Sequence, residues 1–303
     1  YETARRISEQ EDINSRPNRG VDDLPKLLEK YSKRSSGTRG INRRNLQEVR
    51  KIGVFDVNVV AEYTLDDAIN EGIKKSFPVF KGVQKIFEIT DGDTYRKMME
   101  ESLKDNPFAA SVTVHSGEKF NGMRMFVTED GSTGITLTKE GFLGGAFSNP
   151  NANRPQNLAQ LMVIGIKEGA TTAEAFDTIL PDYYSKFGFK AVSRTAFNEQ
   201  YKPMIKNGDA VKDWDFETYK KYNNGRPDVV FFIYDGGNRN TIEERLGLFD
   251  LYKNYEKENT ESFDKDSYEK AEEVMNQQAV KRLEFELDIN ESEAPVATNQ
   301  GVS

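Results

Sequence analysis

The sequence predicts an α/β fold, in which one mixed sheet is flanked by helices and a helical arm extends on each side. Short β-rich apolar runs alternate with helical patterns between residues 85 and 235, and a three-strand meander interrupts them. Outside that region the chain is highly charged. We therefore divide it into a basic N-terminal arm with short helices (1–84), an α/β domain (85–235), an acidic helical C-terminal arm (236–289) and a flexible tail (290–303).

The N-terminal arm contains two helical patterns. In "VDDLPKLLEKYSKRSSG" leucines and a tyrosine recur at helical spacing before a Ser-Ser-Gly stop. In "YTLDDAINEGIKKSF" Thr64 can cap a helix whose first turn contains Asp66 and Asp67. Basic residues outnumber acidic ones up to Lys51, but acids interrupt them, so this part is interpreted as a solvated, partly extended tether.

The elements of the domain follow in a definite order from Lys85. A strand "KIFEIT", a helix "DGDTYRKMMEESLKDNP" and a β-rich segment "AASVTVHS" come first. The meander "GMRMFVTEDGSTGITLTKEGFLGGAFSN" reverses at Asp130-Gly131 and Glu140-Gly141. The apolar helix "NRPQNLAQLMVIGIKEGA" must then pack on the sheet. A strand "AFDTIL", a short helix "PDYYSKFG" and the strands "FKAVSRTAF" and "RPDVVFFIYD" complete the pattern.

The C-terminal arm is predicted to form two helices. The first, "TIEERLGLFDLYKNYEKE", begins with a capping box of Thr241 and Glu244. The second has a thin apolar stripe formed by Tyr268, Ala271, Met275 and Ala279. A stripe that narrow seldom holds a helix alone. We therefore expect residues 1–84 and 241–289 to contact other protein chains.

Composition excludes several classes of function. The chain has no cysteine and one histidine, His115, so thiolate chemistry, disulfides and metal sites built from Cys or several His are excluded. No run reaches the roughly 18 apolar residues of a membrane span, and we expect a soluble protein. The net charge of -8 and the lack of a regular basic stripe argue against a nucleic-acid partner, despite the Arg-rich N-terminal arm.

The segment "YYSKFGF" is the most specific motif in the sequence. It places Tyr184 three residues before Phe187, which Gly188 and Phe189 follow, and this resembles the last motif of the GNAT acetyltransferase superfamily. With "FNEQYKP" and "WDFETYKKYNNGRPDVVFFIYD", it looks like a GNAT-like domain found in large multidomain phage and mobile-element proteins. The resemblance covers roughly Lys85 to Asp235 and implies a GNAT-like sheet.

The resemblance also implies a cofactor site. The cradle for the pyrophosphate of acetyl-CoA falls on "RPQNLA", where Arg154 and Ala159 match and Asn157 stands where glycine is preferred. Gly144 and Gly145 fall on the strand beside the pantetheine arm. Their alternative interpretation is a β-bulge or close strand packing.

The resemblance makes Tyr184 the general acid that protonates the leaving sulfur; the alternative is a core tyrosine. The sequence does not choose a base among Glu88, Asp130 and Glu140. Trp214 is expected to anchor the loop between the last two strands.

Two hypotheses follow. The first is a structural phage protein, located in the virion, whose degenerate GNAT-like domain binds no cofactor or metal and whose arms act in assembly. The alternative is an active acetyl-CoA-dependent N-acetyltransferase that reaches a host cytoplasm.

Overall fold

The fold is described from a computed structural model of the chain. The described residues are 12–13, 15–17, 20–34, 39–81, 85–152, 157–249 and 260–292. The strands are β1 (Ile41–Ile52), β2 (Phe55–Leu65), β3 (Ile86–Ile89), β4 (Arg124–Thr128), β5 (Thr133–Leu137), β6 (Phe142–Ser148), β7 (Thr172–Phe176), β8 (Phe189–Thr195), β9 (Val229–Tyr234) and β10 (Glu261–Phe263). The helices are α1 (Leu24–Arg34), α2 (Asp67–Ser76), α3 (Gly92–Leu103), α4 (Gly117–Asn121), α5 (Leu158–Lys167), α6 (Leu180–Ser185), α7 (Ile242–Arg245) and α8 (Tyr268–Ser292).

The strands form one mixed sheet of ten strands, in the order β1-β2-β3-β4-β5-β6-β7-β9-β8-β10. The pairs β6–β7 and β8–β10 are parallel, and the remaining pairs are antiparallel. The α/β class and the mixed sheet predicted from the sequence are thus confirmed. No described helix is both long and apolar enough to cross a membrane.

Helices cover both faces of the sheet. On one face α2, α5, α6 and α7 pack on the largest core cluster, which includes Phe126 of β4 and Phe232 of β9. Alternate residues of the same strands point to the other face. There α3 and α4 cover the β2–β6 side, where Met125 is buried, and α1 and α8 cover the β8–β9 side, where Phe231 is buried.

Residues 41–65, which the sequence analysis assigned to the N-terminal arm, form the hairpin of β1 and β2. The strand β2 pairs with β3 and so extends the domain's sheet. Its residues Val57, Val59 and Tyr63 are buried. The hairpin turns at Gly53, whose φ of 58° favours glycine. Because β1 is an edge strand, most of its residues are exposed, which explains why its sequence has the charge of a solvated segment.

Several local predictions were wrong. The strand predicted at "AFDTIL" ends at Phe176, and the predicted cap Thr241 makes no side-chain hydrogen bond to α7. The helix α2 is capped by Asp66, whose Oδ1 accepts a hydrogen bond from the Ile69 amide at 2.9 Å, whereas Thr64 lies within strand β2, which ends at Leu65. The segment "AASVTVHS" contains a 3-10 turn and no strand. The Val114 amide instead donates to the carbonyl of Asp209, in the long connection between β8 and β9, at 2.9 Å.

The C-terminal helix α8 lies on the chain's own sheet. Its residues Ala271, Met275 and Ala279 are buried in the cluster that contains Phe231 and Ile233. The predicted stripe is therefore covered within the chain. The other predicted helix is shorter than expected, since α7 ends at Arg245 and residues 250–259 lie outside the described residues. Contacts of residues 1–84 and 241–289 with other chains, and the flexibility of residues 290–303, stay predictions.

Candidate functional site

The parallel strands β6 and β7 separate soon after they meet. They pair at Phe142↔Thr172 and Leu143↔Ala173, and no further pair joins them, although both strands are described over their full length. The outer edge of each strand is paired, β6 with β5 and β7 with β9. Beyond Leu143 and Ala173 the two strands no longer pair with each other, and this unpaired stretch between them is here called the β6–β7 gap.

A bulge in β6 accounts for the separation. The β5–β6 register shifts so that Gly145 and Ala146 oppose the single residue Ile135. Gly145 has φ of 53°, and its carbonyl accepts a hydrogen bond of 2.8 Å from the Tyr95 hydroxyl of α3. A bulge bends its strand and increases the local twist. The bend therefore directs the second half of β6 away from β7.

Glu174 is the first residue of β7 beyond the last pair with β6. It lies opposite Phe231 of β9, so its side chain is on the face of the sheet that α8 covers. The Tyr268 hydroxyl of α8 donates a hydrogen bond to its carboxylate. Burial raises the pKa of Glu174, whereas the bond from Tyr268 and the charge of Lys119 act in the opposite direction. Glu174 is thus a partly desolvated carboxylate at the gap.

Tyr184 lies on the opposite face of the sheet. It is 5% exposed, and its ring packs on Phe189 and Phe232 at centroid distances of 5.7 and 5.3 Å. Burial raises the pKa of Tyr184 to about 12, and the nearby charge of Glu174 contributes. Its phenol is therefore protonated at neutral pH. A carboxylate on one face of the sheet and a protonated phenol on the other are thus close enough for the charge of Glu174 to act on Tyr184.

The predicted cradle residues lie at the start of α5. Asn157 precedes the helix and is 2% exposed, with no hydrogen-bond partner for its Nδ2. Its side chain does not cap the helix. Ala159 is fully buried in the core, and Arg154 lies outside the described residues. Among the described residues, the first turn of α5 therefore lacks a side-chain cap from Asn157 and lies beside a buried amide group that has no partner.

Gly144 and Gly145 lie on the part of β6 that borders the gap. A Cβ on Gly144 would meet the Phe142 ring at 2.7 Å, and one on Gly145 would meet Thr136 Oγ1 at 2.8 Å. Both positions thus require glycine for local packing, and Gly145 also for its backbone conformation. A role of either residue toward a ligand stays a prediction, as does the role of Tyr184.

The three candidate bases lie elsewhere. Glu88 of β3 accepts hydrogen bonds from Arg124 at 2.7 Å and from Tyr63 at 2.7 Å, in a buried network. Asp130 and Glu140 lie in the two turns of the meander. Glu174 is not among the candidate residues predicted from the sequence. Its signal is a single carboxylate in the otherwise small and apolar strand "TAEAF".

The surroundings of His115 and Trp214 indicate structural roles for both residues. His115 is half-buried, and burial lowers its pKa to about 4. Trp214 stacks on Tyr219 at a centroid distance of 3.9 Å and donates from Nε1 to the carbonyl of Gly225 at 3.1 Å. Both contacts lie within the connection between β8 and β9, so Trp214 anchors this loop as predicted.

In the part of the chain that the structure describes, no group of three or more His, Asp or Glu side chains could hold a metal ion. Comparisons of the chain with models of known families, with curated proteins and with solved structures find no match.

Proposed function

We propose that this chain is an acyl-CoA-dependent N-acyltransferase built on a GNAT-like domain. The observation that carries the proposal is the β6–β7 gap, with Glu174 on one face of the sheet and Tyr184 on the other. The elements on which the resemblance rests occur in the predicted order from β3 to β9, apart from the segment after α3. The gap supports a site for an extended, amide-containing group, since free strand edges bind such groups through main-chain hydrogen bonds.

The residues at the gap and at α5 suit acetyl-CoA. The amides at the start of α5, with Arg154, are proposed to hold the pyrophosphate, and the unpartnered Nδ2 of Asn157 adds a donor there. Gly144 and Gly145 leave the β6 edge free of bulky side chains. Bound acetyl-CoA supplies an activated acyl group as a thioester.

The chain's residues then move the protons. Glu174 accepts a proton from the ammonium group of the acceptor, which becomes a nucleophilic neutral amine. The amine forms the C–N bond while the C–S bond breaks. Tyr184 donates its phenolic proton to the leaving sulfur, and the resulting phenolate accepts the proton that the new amide nitrogen releases. The products are the amide, the free thiol and one proton, which Glu174 holds and then releases to solvent.

A structural role in a phage-type assembly is the second candidate. The tight aromatic packing of Tyr184 favours it, because a tyrosine so enclosed can serve packing alone. In this proposal the domain binds no cofactor and acts in a virion through other protein chains.

Calorimetry with acetyl-CoA and a turnover assay with a panel of amines distinguish the two. For the enzyme we expect micromolar binding. Tyr184→Phe keeps binding but lowers turnover roughly 100-fold, the order expected for loss of a general acid. Tyr183→Phe is the matched control, because Tyr183 is the adjacent tyrosine of α6 and its buried hydroxyl has no partner. If no binding is detected at millimolar acetyl-CoA, the proposal that the chain is an acyltransferase is refuted.

A further inference from the structure

We propose that Tyr268 of α8 is a positioning residue that holds the Glu174 carboxylate at the β6–β7 gap, so that the C-terminal helix completes the site. The inference rests on the proposed function and adds a residue from outside the segment that resembles GNAT domains. That segment ends near Asp235, whereas α8 begins at Tyr268. The hydroxyl of Tyr268 donates to Glu174, and this contact joins α8 directly to β7.

The ring of Tyr268 is held in place on the sheet. It meets Phe231 edge-on, at a centroid distance of 5.1 Å and an interplanar angle of 68°. Phe231 is the cross-strand neighbour of Glu174 on β9. The tyrosine thus extends over β9 to the carboxylate, and its orientation is determined by packing as well as by the hydrogen bond.

The start of α8 is fixed as well. The Ser193 hydroxyl of β8 donates to the carbonyl of Ala271 at 2.6 Å. The Thr195 hydroxyl donates to the carbonyl of Asp264 at 2.6 Å, and the Ser267 hydroxyl donates to the Asp264 carboxylate at 2.9 Å. These bonds lie on both sides of Tyr268 in the chain. The distance from Tyr268 to Glu174 is therefore set by the sheet itself, as a precise positioning role requires.

Several charged or titratable groups act on Glu174. Tyr268 and Glu272 belong to α8, and Lys119 belongs to α4. On the other face of the sheet, the charge of Glu174 acts in turn on Tyr184 of α6. Burial and Glu272 favour the protonated acid, whereas Tyr268 and Lys119 favour the carboxylate. Of the two groups that favour the carboxylate, Tyr268 is the one for which a hydrogen bond to Glu174 is described. Its hydroxyl therefore keeps a larger fraction of Glu174 ionised, as a base at neutral pH must be.

A direct titration of Glu174 tests the inference without an activity assay. The full chain is labelled with glutamate carrying ¹³C in the side-chain carboxyl, and Glu174→Gln identifies the Glu174 resonance. We expect Tyr268→Phe to raise the Glu174 midpoint by roughly one pH unit, the usual order for a lost charge-assisted hydrogen bond. The exposed Tyr201→Phe is the control and should leave the midpoint unchanged. An unchanged midpoint in Tyr268→Phe overturns the inference.

Kinetics separate a failure of this inference from a failure of the proposed function. If the wild-type chain acetylates amines, Tyr268→Phe should lose rate at neutral pH and regain it at higher pH, with unchanged affinity for acetyl-CoA. An equal loss at every pH means a purely structural role and overturns the inference. If the wild-type chain neither binds acetyl-CoA nor acetylates amines, the proposed function fails, and the titration still decides whether Tyr268 controls Glu174.

Discussion

Lys167, at the end of α5, offers the sharpest test of how the chain after β9 is attached to the sheet. Its side chain has no solvent exposure. Its Nζ donates to the carbonyls of Arg39 and Asn240 at 2.8 and 2.9 Å and to the Glu243 carboxylate at 2.8 Å. All three donors of the ammonium group are thus satisfied, and the residue joins α5 to α7 and to the chain before β1.

Replacing Lys167 with methionine keeps most of its apolar volume but removes the charge. Glu243, which is 8% exposed, then keeps a buried carboxylate without its cation, and two carbonyls lose a donor. Breaking a buried pair in this way costs about 3–5 kcal/mol. We therefore expect Lys167→Met to lower the free energy of unfolding by that amount in urea titrations followed by circular dichroism.

Two further variants show whether the ion pair is the cause. Lys167→Met combined with Glu243→Leu removes both charges and should recover most of the loss. Lys74→Met breaks the exposed pair with Glu71 on α2 and should cost about 0.5 kcal/mol or less. A cost for Lys167→Met no larger than for Lys74→Met would refute the reasoning, because it would mean that Glu243 is solvated.

Three more predictions concern stability. Gly145→Ala places a Cβ 2.8 Å from Thr136 Oγ1 at a positive φ, and should cost about 1–3 kcal/mol in urea unfolding. Trp214→Ala removes the ring stacked on Tyr219 and should lower the free energy of unfolding in urea by about 3–5 kcal/mol. A decrease below about 1 kcal/mol would contradict this prediction. The pKa of His115 falls from 6.5 to about 4 on folding. The free energy of unfolding should therefore decrease as the pH falls from about 6.5 to about 4, and this decrease should be smaller in His115→Asn.

The sign of the His115 effect follows from where the proton binds. The unfolded chain takes up the proton near the unperturbed pKa, whereas the folded chain resists it until lower pH. Stability from this group is therefore complete above pH 6.5 and is lost on acidification. Because His115 is only half-buried, solvent screening keeps the effect modest. Circular dichroism at matched ionic strength measures it.

The sequence alone determined the α/β class and the order of most domain elements. Apolar periodicity carries this information, because each strand or helix must bury one face whatever its neighbours are. The helix α5, with nearly all its residues buried, and the strand β9 were recognisable for that reason. Turn residues such as Gly131 and Gly141, both at positive φ, located the meander reversals.

Tertiary structure decided what the charged segments do. The strand β1 is exposed along most of its length, so its sequence lacks the apolar pattern of a strand, and its structure depends on pairing with β2. The helix α8 has only a thin apolar stripe, which is enough to hold it in place because α1 and the sheet pack against that stripe. The helix propensity of a segment does not indicate which other elements will pack against it.

The candidate site depended on tertiary structure most of all. Tyr184 could be named from a local motif, but Glu174 became a candidate only where β6 parts from β7, and this depends on a bulge and on strand order. Tyr268 reaches that carboxylate from 94 residues away along the chain. Contacts at such separations are set by packing of the whole sheet, because periodicity in one segment holds no information about which distant segment covers it.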